Sequence, residues 1–296
     1  YVMAFLKESN QIKKLFSSLN KNDEFEVMFN NYKQDNKLSF NKFMNMLKYL
    51  KWKSDTEEYK INFEESLDIS YNYENNSVYR VSVLGNENIN NFLNLVNLRK
   101  NHIIFSILLT QFINDKNFVF IKKTKDQRKI IDFDDFDIRV RSASETPIDN
   151  KSINDLANLP ISEESKIIFR YKNRVSLTLL DNSNEKMLID LTVVKTNNDV
   201  NKISTSDKTY ELEIDYSTKG KINDKSLNLL INEVDKLKQV LEESEEIGSK
   251  KELESVVQKY KDLVYGSNND EKKNLYSMQP ISTEVIHIID RIPNKY

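Results

Sequence analysis

Two short acidic segments near opposite ends of the chain constrain its fold more than any other feature. The first is EFEVMF over residues 24–29, and the second is YELEIDY over residues 210–216. Alternate side chains of a β-strand share one face. Each segment therefore predicts a strand with carboxylates on one face and aromatic or aliphatic side chains on the other. Carboxylates gathered in this way are destabilised unless a positive charge lies among them. Because every ligand on offer is an oxygen, we expect a hard divalent cation, Mg²⁺ or Mn²⁺.

Composition narrows the choice of metal site and of partner. The 296 residues include no cysteine and two histidines, which excludes a thiolate zinc site and a histidine-rich metal site. The net charge is −2, so the chain as a whole is not a basic nucleic-acid binder, and any such contact needs local charge separation. No secretory signal or membrane-spanning segment is visible, and the lack of cysteine indicates a reducing, intracellular setting.

Strand-like patterns recur between the acidic segments. Period-two alternation predicts further strands at 60–63, 67–71, 78–83, 118–124, 136–142, 167–180 and 187–195. With the two acidic strands this makes about eight or nine antiparallel strands, which suits a closed barrel. Helical spacing predicts helices over 2–19 and 40–52, and one or two more between 89 and 113. The expected fold class is α+β, with a closed antiparallel eight-stranded β-barrel and flanking helices.

The pattern changes again after Gly220. Apolar residues at helical spacing run from 227 to 241 and from 253 to 263, with Gly248 between them, which predicts a helical hairpin. We therefore expect two domains, a barrel over residues 1–220 and a helical hairpin with a linker over 221–296. The final stretch, 278–296, is expected to be an extended lead followed by a short helix.

Basic residues alternate along the middle strands. Within any single strand, this alternation is typical of a solvated sheet face. Like charges two residues apart repel each other, however, and runs of one sign recur on two acidic and at least two basic strands. In a barrel such faces can point inward and line a tunnel, which requires charges that are paired, hydrated or occupied by a ligand. A metal and a polyanion would satisfy both halves, since arginine suits bidentate contact with phosphate oxygens. The basic residues are Arg80, Lys122, Arg139, Arg141, Arg170, Lys172 and Arg174.

The ordered set of acidic and basic strands resembles the triphosphate tunnel metalloenzymes. The matching stretches are 24–29, 78–83, 169–176, 189–195 and 210–216, in family order. Within this superfamily the chain is most similar to the RNA 5′-triphosphatase domain of mRNA capping enzymes from large DNA viruses, of the mimivirus type. Met28 stands where the bacterial and thiamine-triphosphatase-like members have lysine, which favours the fungal and viral branch.

The tail supports the same resemblance. Residues 279–282 and 291–296 are similar to the segment that leads into the guanylyltransferase domain of these enzymes. The chain also opens on Tyr1 instead of methionine. The resemblance therefore implies a fragment of a larger capping enzyme, with guanylyltransferase and methyltransferase modules on the same parent chain. It also implies a place in the host cytoplasm, at a viral factory, or in the virion.

The resemblance implies removal of the γ-phosphate from 5′-triphosphate RNA, the first step of cap formation, with Mg²⁺ or Mn²⁺. It implies that the basic residues grip the triphosphate and that Asp190 or a strand-end glutamate orients the attacking water. The metal would be held by Glu24, Glu26, Glu211 and Glu213. Two other functions stay open. One is a tunnel enzyme acting on inorganic polyphosphate, free nucleotides or thiamine triphosphate, and the other is a non-catalytic barrel that serves as a scaffold.

Overall fold

The structure is a computed structural model. It describes residues 3–19, 23–30, 37–57, 59–73, 77–112, 115–148, 161, 165–219, 224–243 and 258. The helices in this part of the chain are α1 (Met3–Ser17), α2 (Phe40–Glu57), α3 (Asn86–Val96), α4 (Asn101–Gln111) and α5 (Asp224–Glu242), with short 3₁₀ helices at Asp134–Phe136 and Val200–Thr205. The strands are β1 (Asp23–Phe29), β2 (Lys60–Tyr73), β3 (Ser77–Leu84), β4 (Phe118–Phe133), β5 (Ile138–Pro147), β6 (Ile167–Asp181), β7 (Glu185–Asn197) and β8 (Lys208–Thr218).

The eight strands close into one barrel. Their order around it is β1-β5-β4-β3-β2-β6-β7-β8, and β8 pairs with β1 to complete the ring. Every pairing is antiparallel. The predicted fold class is therefore confirmed, and the two acidic strands are direct neighbours although about 180 residues separate them along the chain.

The hydrophobic core lies outside the barrel. Phe25, Val27 and Phe29 of β1 are fully buried, and Phe16 of α1 packs edge-on against Phe25 with ring centroids 5.1 Å apart. On another side, the outer faces of β2, β3 and β4 pack against α3 and α4 in a cluster that includes Phe105. Since the apolar face of each strand turns outward to the helices, the opposite faces, which carry the charges, are left to line the interior.

The structure changes several strand boundaries, including that of the strand predicted at 136–142, which is β5 and runs from Ile138 to Pro147. The predicted strands at 60–63 and 67–71 are one continuous strand, β2, because Glu64, Glu65 and Ser66 keep their place in the ladder with β6 and form no turn. β4 continues to Phe133, past the predicted end at residue 124. The helical region between 89 and 113 is two helices, and Leu98, with a left-handed φ of 59°, lies between them.

The first helix of the predicted hairpin is α5. Its Glu233 carboxylate lies 3.1 Å from the Lys53 ammonium of α2, and both side chains are buried. The second apolar stripe at 253–263, the turn at Gly248 and the tail at 278–296 lie outside the described residues, apart from Gln258.

The chain divides into two compact units, residues 1–252 and 253–296. The boundary at residue 220 stays a prediction. No helix in the described part of the chain is both long enough and apolar enough to cross a membrane.

A buried carboxylate ties α5 to the barrel. Glu185 Oε1, at the start of β7, accepts hydrogen bonds from the Tyr216 hydroxyl at 2.6 Å and the Ser226 hydroxyl at 2.9 Å. We expect Glu185→Ala to lower the free energy of unfolding by about 3 kcal/mol, because two buried hydroxyls lose a charged acceptor. The melting temperature would then fall by roughly 6–12 °C. Thermal unfolding followed by circular dichroism measures this, with Glu185→Gln as the control that keeps one acceptor oxygen. A fall below about 2 °C would contradict the prediction.

Candidate active site

The barrel interior is a strongly charged cavity of about 270 Å³. Acidic and basic side chains from seven of the eight strands point into it. The acids are Glu24, Glu26, Glu64, Asp68, Glu211, Glu213 and Asp215, and the bases are Arg80, Lys123, Arg141, Arg170, Lys172 and Arg174. The two predicted acidic faces and the face that carries Arg170, Lys172 and Arg174 thus meet in one enclosed space.

Strand register decides which acids meet. Glu26 of β1 lies opposite Asp215 of β8, while Glu213 lies opposite Met28 on one side and Asp190 on the other. As a result, one carboxylate oxygen from each of Glu24, Glu26 and Asp215 falls within 4.8 Å of the other two. Within the described residues, this trio brings three carboxylates close enough together to hold one metal ion.

Glu211 has a different environment. It is four residues from Asp215 along β8, which is about 13 Å of strand, and its two carboxylate oxygens accept hydrogen bonds from Arg170 at 2.6 and 2.7 Å. The register therefore does not bring Glu211 into the cluster with Glu24 and Glu26. Glu213 lies between the two positions and lines the cavity. Asp215 is on the same face of the acidic segment 210–216 as Glu211 and Glu213, but it was not among the predicted metal ligands.

Each base that lines the cavity has a carboxylate partner. Lys123 lies 2.9 Å from Glu24, 2.7 Å from Glu26 and 3.0 Å from Glu145. Arg141 donates to Glu26, and Arg80 lies 3.3 Å from Glu145. On the other side of the cavity Arg170 pairs with Glu211, Lys172 with Asp68, and Arg174 with Asp190 at 3.0 Å. An anion that enters must therefore draw these cations away from carboxylates.

Two predicted phosphate-binding residues do not line the cavity. Lys122 is on the outer side of β4, with its ammonium 5.5 Å from the centre of the Tyr79 ring. Its neighbour Lys123 points inward instead. Arg139 lies opposite Met28 and donates two hydrogen bonds to Asp132, at 2.7 and 2.9 Å, away from the cavity.

The face of Lys122 could have been read from the sequence. Phe118, Phe120 and Lys122 are alternate residues of β4 and therefore share one face of the strand. The two phenylalanines belong to the core outside the barrel, so Lys122 faces outward as well. Asp190, the predicted water-orienting residue, is buried with 1% of its surface exposed. It does not line the cavity itself, but it lies 3.0 Å from Arg174, which does. Asp68 and Glu145 were missed, because neither is in a run of acids on alternate residues: Glu145 is the one acid of β5, and the other acids of β2, Glu64 and Glu65, are adjacent and so face opposite sides.

Burial and crowding shift the ionisation of the acidic cluster. Burial, with the Glu26 and Glu145 carboxylates, raises the pKa of Glu24 to about 8 in spite of Lys123. Burial acts on Glu26 too, but Lys123 and Arg141 outweigh it and hold its pKa below the usual range. Burial and neighbouring carboxylates raise the pKa of Glu213, and that of Asp215 more strongly. The cluster therefore holds protons near neutral pH that a metal would have to displace.

Known proteins share this barrel. No protein-family model matches the chain. The probable mRNA-capping enzyme of Acanthamoeba polyphaga mimivirus is 29% identical over 98% of the chain, and the chain spans 24% of that relative's length. Triclinic and monoclinic structures of the mimivirus capping enzyme triphosphatase match with TM-scores of 0.61 and 0.62, at 26% identity over 79% of this chain and 97% of theirs. The chain has the mimivirus triphosphatase fold.

A third solved structure agrees. The RNA triphosphatase domain of a trifunctional mimivirus mRNA capping enzyme matches with a TM-score of 0.61 and 26% identity, over 80% of this chain and 98% of that domain. The resemblance inferred from the acidic and basic strands is therefore confirmed. It extends over the whole mimivirus triphosphatase domain, while the curated relative continues well beyond the region that this chain matches.

Several buried polar atoms of the barrel interior lack a hydrogen-bond partner and indicate which ligands would be stabilised there. Within the described residues, the buried atoms Asp215 Oδ1, Arg174 Nε and Arg80 Nε have no hydrogen-bond partner. A buried polar atom without a partner costs about 1–3 kcal/mol, so both a cation and an anion would be stabilised here. A Mg²⁺ or Mn²⁺ ion binds oxygens at roughly 2.0–2.2 Å. Three carboxylate oxygens within 4.8 Å of one another suit such an ion, and Glu24, Glu26 and Asp215 would hold it.

The raised pKa values predict how stability depends on pH. A carboxyl whose folded pKa lies above its unfolded value stabilises the fold fully below the unfolded pKa, and this contribution is lost as pH rises through the folded pKa. For Glu24, with a folded pKa of about 8, the window runs from about 4.5 to 8. Without metal, we therefore expect the melting temperature to fall from pH 5.5 to pH 8. Saturating Mn²⁺ should raise the melting temperature, and by more at pH 8 than at pH 6, because fewer protons must be displaced.

Thermal unfolding in EDTA and in MnCl₂ across this pH range measures both effects. Glu24→Gln is the matched control, since it removes the titrating group and keeps its shape, and it should flatten the metal-free slope. Identical slopes for the wild type and Glu24→Gln would show that Glu24 does not titrate in this window.

Proposed function

We propose that this chain is a metal-dependent RNA 5′-triphosphatase that removes the γ-phosphate of nascent viral mRNA as the first step of cap formation. The observation that carries the proposal is the interior of the barrel. One wall offers a carboxylate trio with an unpartnered buried oxygen on Asp215, and the opposite wall offers arginines with unpartnered buried nitrogens. A string of phosphates with a divalent cation at one end satisfies both walls. The similarity to the mimivirus triphosphatase supports RNA as the carrier of those phosphates.

The arrangement suits in-line hydrolysis. Arg174, Lys172 and Arg170 are alternate residues of β6 and would bind successive phosphate oxygens along the tunnel, since their spacing of about 7 Å per two residues is that of a strand. Arg141, next to Glu26, would hold the γ-phosphate against the acidic wall. When bound, Mg²⁺ or Mn²⁺ would neutralise phosphate charge in the transition state. Water attacks the γ-phosphorus, the bond to the bridging oxygen of the β-phosphate breaks, and the products are inorganic phosphate and 5′-diphosphate RNA.

Asp190 is the residue we propose to orient that water. It is buried, it pairs with Arg174, and it lies opposite Glu213 across the β7–β8 ladder. A carboxylate so placed can accept a hydrogen bond from water beside the γ-phosphate while Arg174 holds its orientation.

A substrate panel tests the function. The purified chain is incubated with MgCl₂ or MnCl₂ and with RNA carrying a labelled γ-phosphate, ATP, inorganic tripolyphosphate or thiamine triphosphate. We expect metal-dependent phosphate release with the highest kcat/KM on triphosphate RNA. A higher kcat/KM on tripolyphosphate or thiamine triphosphate would favour another tunnel enzyme. Phosphate release on no substrate would favour a scaffold.

The same proposal extends to context. We propose that guanylyltransferase and methyltransferase modules follow on the same parent chain, since the curated relative is about four times longer than the matched region and the solved RNA triphosphatase domain belongs to a trifunctional mimivirus capping enzyme. The protein would then act in the host cytoplasm at a viral factory, or in the virion. Sequencing the parent gene tests the first point, and immunofluorescence of infected cells tests the second.

A further inference from the structure

In the tunnel, the Lys123 ammonium contacts two of the carboxylates that would hold a divalent cation, so the two cations would compete for them. Its ammonium lies 2.9 Å from Glu24, 2.7 Å from Glu26 and 3.0 Å from Glu145. The first two carboxylates belong to the trio that would hold the metal, and the third does not. Lys123 is therefore bound at once to two metal-site carboxylates and to one carboxylate beside the site.

A metal ion and the Lys123 ammonium cannot both bind the carboxylates of Glu24 and Glu26 at close range. A divalent ion draws carboxylate oxygens to roughly 2.0–2.2 Å, and like charges in such close contact repel strongly in a buried site. Lys123 cannot escape to solvent, because only 8% of its surface is exposed. A buried ammonium that loses every partner is strongly destabilising. Glu145 prevents this outcome, since it stays beside Lys123 when the other two carboxylates turn to the metal.

We propose that Lys123 exchanges partners when the metal binds. It leaves Glu24 and Glu26, is retained by Glu145, and presents its freed ammonium to a phosphate of the substrate. The proposal rests on the function proposed above. Lys123 thereby couples the two halves of the tunnel, because the cation that the metal displaces becomes a ligand for the polyanion. Such coupling is reciprocal, so bound phosphate would in turn favour metal binding.

A double-mutant cycle with Mn²⁺ alone, measured by isothermal titration calorimetry without substrate, tests the exchange. Lys123→Met should tighten Mn²⁺ binding by at least about fivefold, because the competing cation is gone. Glu145→Gln should weaken Mn²⁺ binding by at least about fivefold, because Lys123 then has no alternative partner and holds Glu24 and Glu26 more firmly. In the Lys123→Met background, Glu145→Gln should change Mn²⁺ affinity by less than about twofold.

This loss of effect separates partner exchange from long-range electrostatics. If the charges act on the metal only through space, Glu145→Gln will weaken Mn²⁺ binding by the same factor in both backgrounds, and the proposal fails. Lys129→Met is the matched control, since Lys129 pairs with Asp23 at 3.0 Å, outside the trio, and its loss should leave Mn²⁺ affinity within about twofold. Lys123→Gln replaces Lys123→Met if circular dichroism shows that the latter does not fold. An equal gain in affinity from Lys129→Met and Lys123→Met would also overturn the proposal.

The result is independent of the substrate panel. An additive cycle in a protein that releases phosphate from triphosphate RNA overturns the exchange and leaves the function standing. A cycle with strong coupling in a protein that hydrolyses nothing overturns the function and leaves the metal competition standing.

Discussion

Replacing Glu24 with glutamine is expected to abolish metal-dependent phosphate release while leaving the metal-free barrel almost as stable as the wild type. The pKa of Glu24 is raised to about 8 by burial and by neighbouring carboxylates, so at pH 7 the metal-free protein carries this side chain mostly in its neutral form. Glutamine has nearly the same shape and the same charge as that neutral form. What glutamine cannot do is lose a proton and become an anionic metal ligand.

We expect kcat to fall by at least about 10³, which is the upper range for losing one well-placed electrostatic group. The melting temperature in EDTA at pH 7 should change by less than about 2 °C, which in a domain of this size corresponds to a stability change of less than about 1 kcal/mol. Glu65→Gln is the matched control, because Glu65 is in β2 outside the cavity and accepts hydrogen bonds from Asn86. Its activity should stay within about twofold of the wild type. Wild-type rates in a folded Glu24→Gln protein would remove Glu24 from the metal site.

The closed barrel was predictable because its strands carry two signals at once. In β1 and β8 the apolar side chains alternate with acids, so the sequence shows both that a strand forms and that its polar face is unusual. The barrel follows from the number of such strands and from their antiparallel spacing. The position of the core outside the barrel follows as well, once Phe25, Val27 and Phe29 are recognised as one face, because only helices such as α1 remain to cover them.

Strand register was not predictable in the same way. Sliding β8 along β1 by two residues keeps every side chain on its own face, so the alternation alone fits Glu211, Glu213 or Asp215 opposite Glu26 equally well. The ladder selects Asp215, and Arg170 takes Glu211 as its partner instead. Pairing between strands that are distant in the sequence depends on the whole ring closing, which no local pattern encodes.

The alternation of side chains along a strand explains why Lys122 lies outside the tunnel. Adjacent residues in a strand face opposite sides, so of Lys122 and Lys123 only one can point into the tunnel. The sequence interpretation chose Lys122, although Phe118 and Phe120 have its parity and belong to the outer core. Arg139 lies outside the cavity for another reason. It is on the same face of the strand as Arg141, but it precedes Arg141 at the start of β5, where Asp132 binds it.

Arg174 points into the tunnel and Lys122 points outward, so substitutions at these two residues test whether the inward arginines bind phosphate. The substitution that keeps the charge, at Arg174, should lower activity more than the one that removes a charge, at Lys122. Arg174→Lys keeps the positive charge, and a lysine can still pair with Asp190, which Arg174 contacts at 3.0 Å. The change removes the buried Nε that has no partner in the part of the chain described here, together with the planar fork that suits two phosphate oxygens. Lys122→Met removes a whole charge, but from the outer side of β4.

We expect Arg174→Lys to lower kcat/KM on triphosphate RNA by about 10², the cost of one preorganised donor to the reacting phosphate. Lys122→Met should stay within about twofold of the wild type. Steady-state kinetics at saturating Mn²⁺ measures both, with thermal unfolding as the folding control. If long-range charge alone attracted the RNA, Lys122→Met would raise KM and Arg174→Lys would be nearly silent. That reversed order would show that the inward arginine does not contact phosphate, because a bidentate contact is the one property that Arg174→Lys takes away while the tunnel charge stays constant.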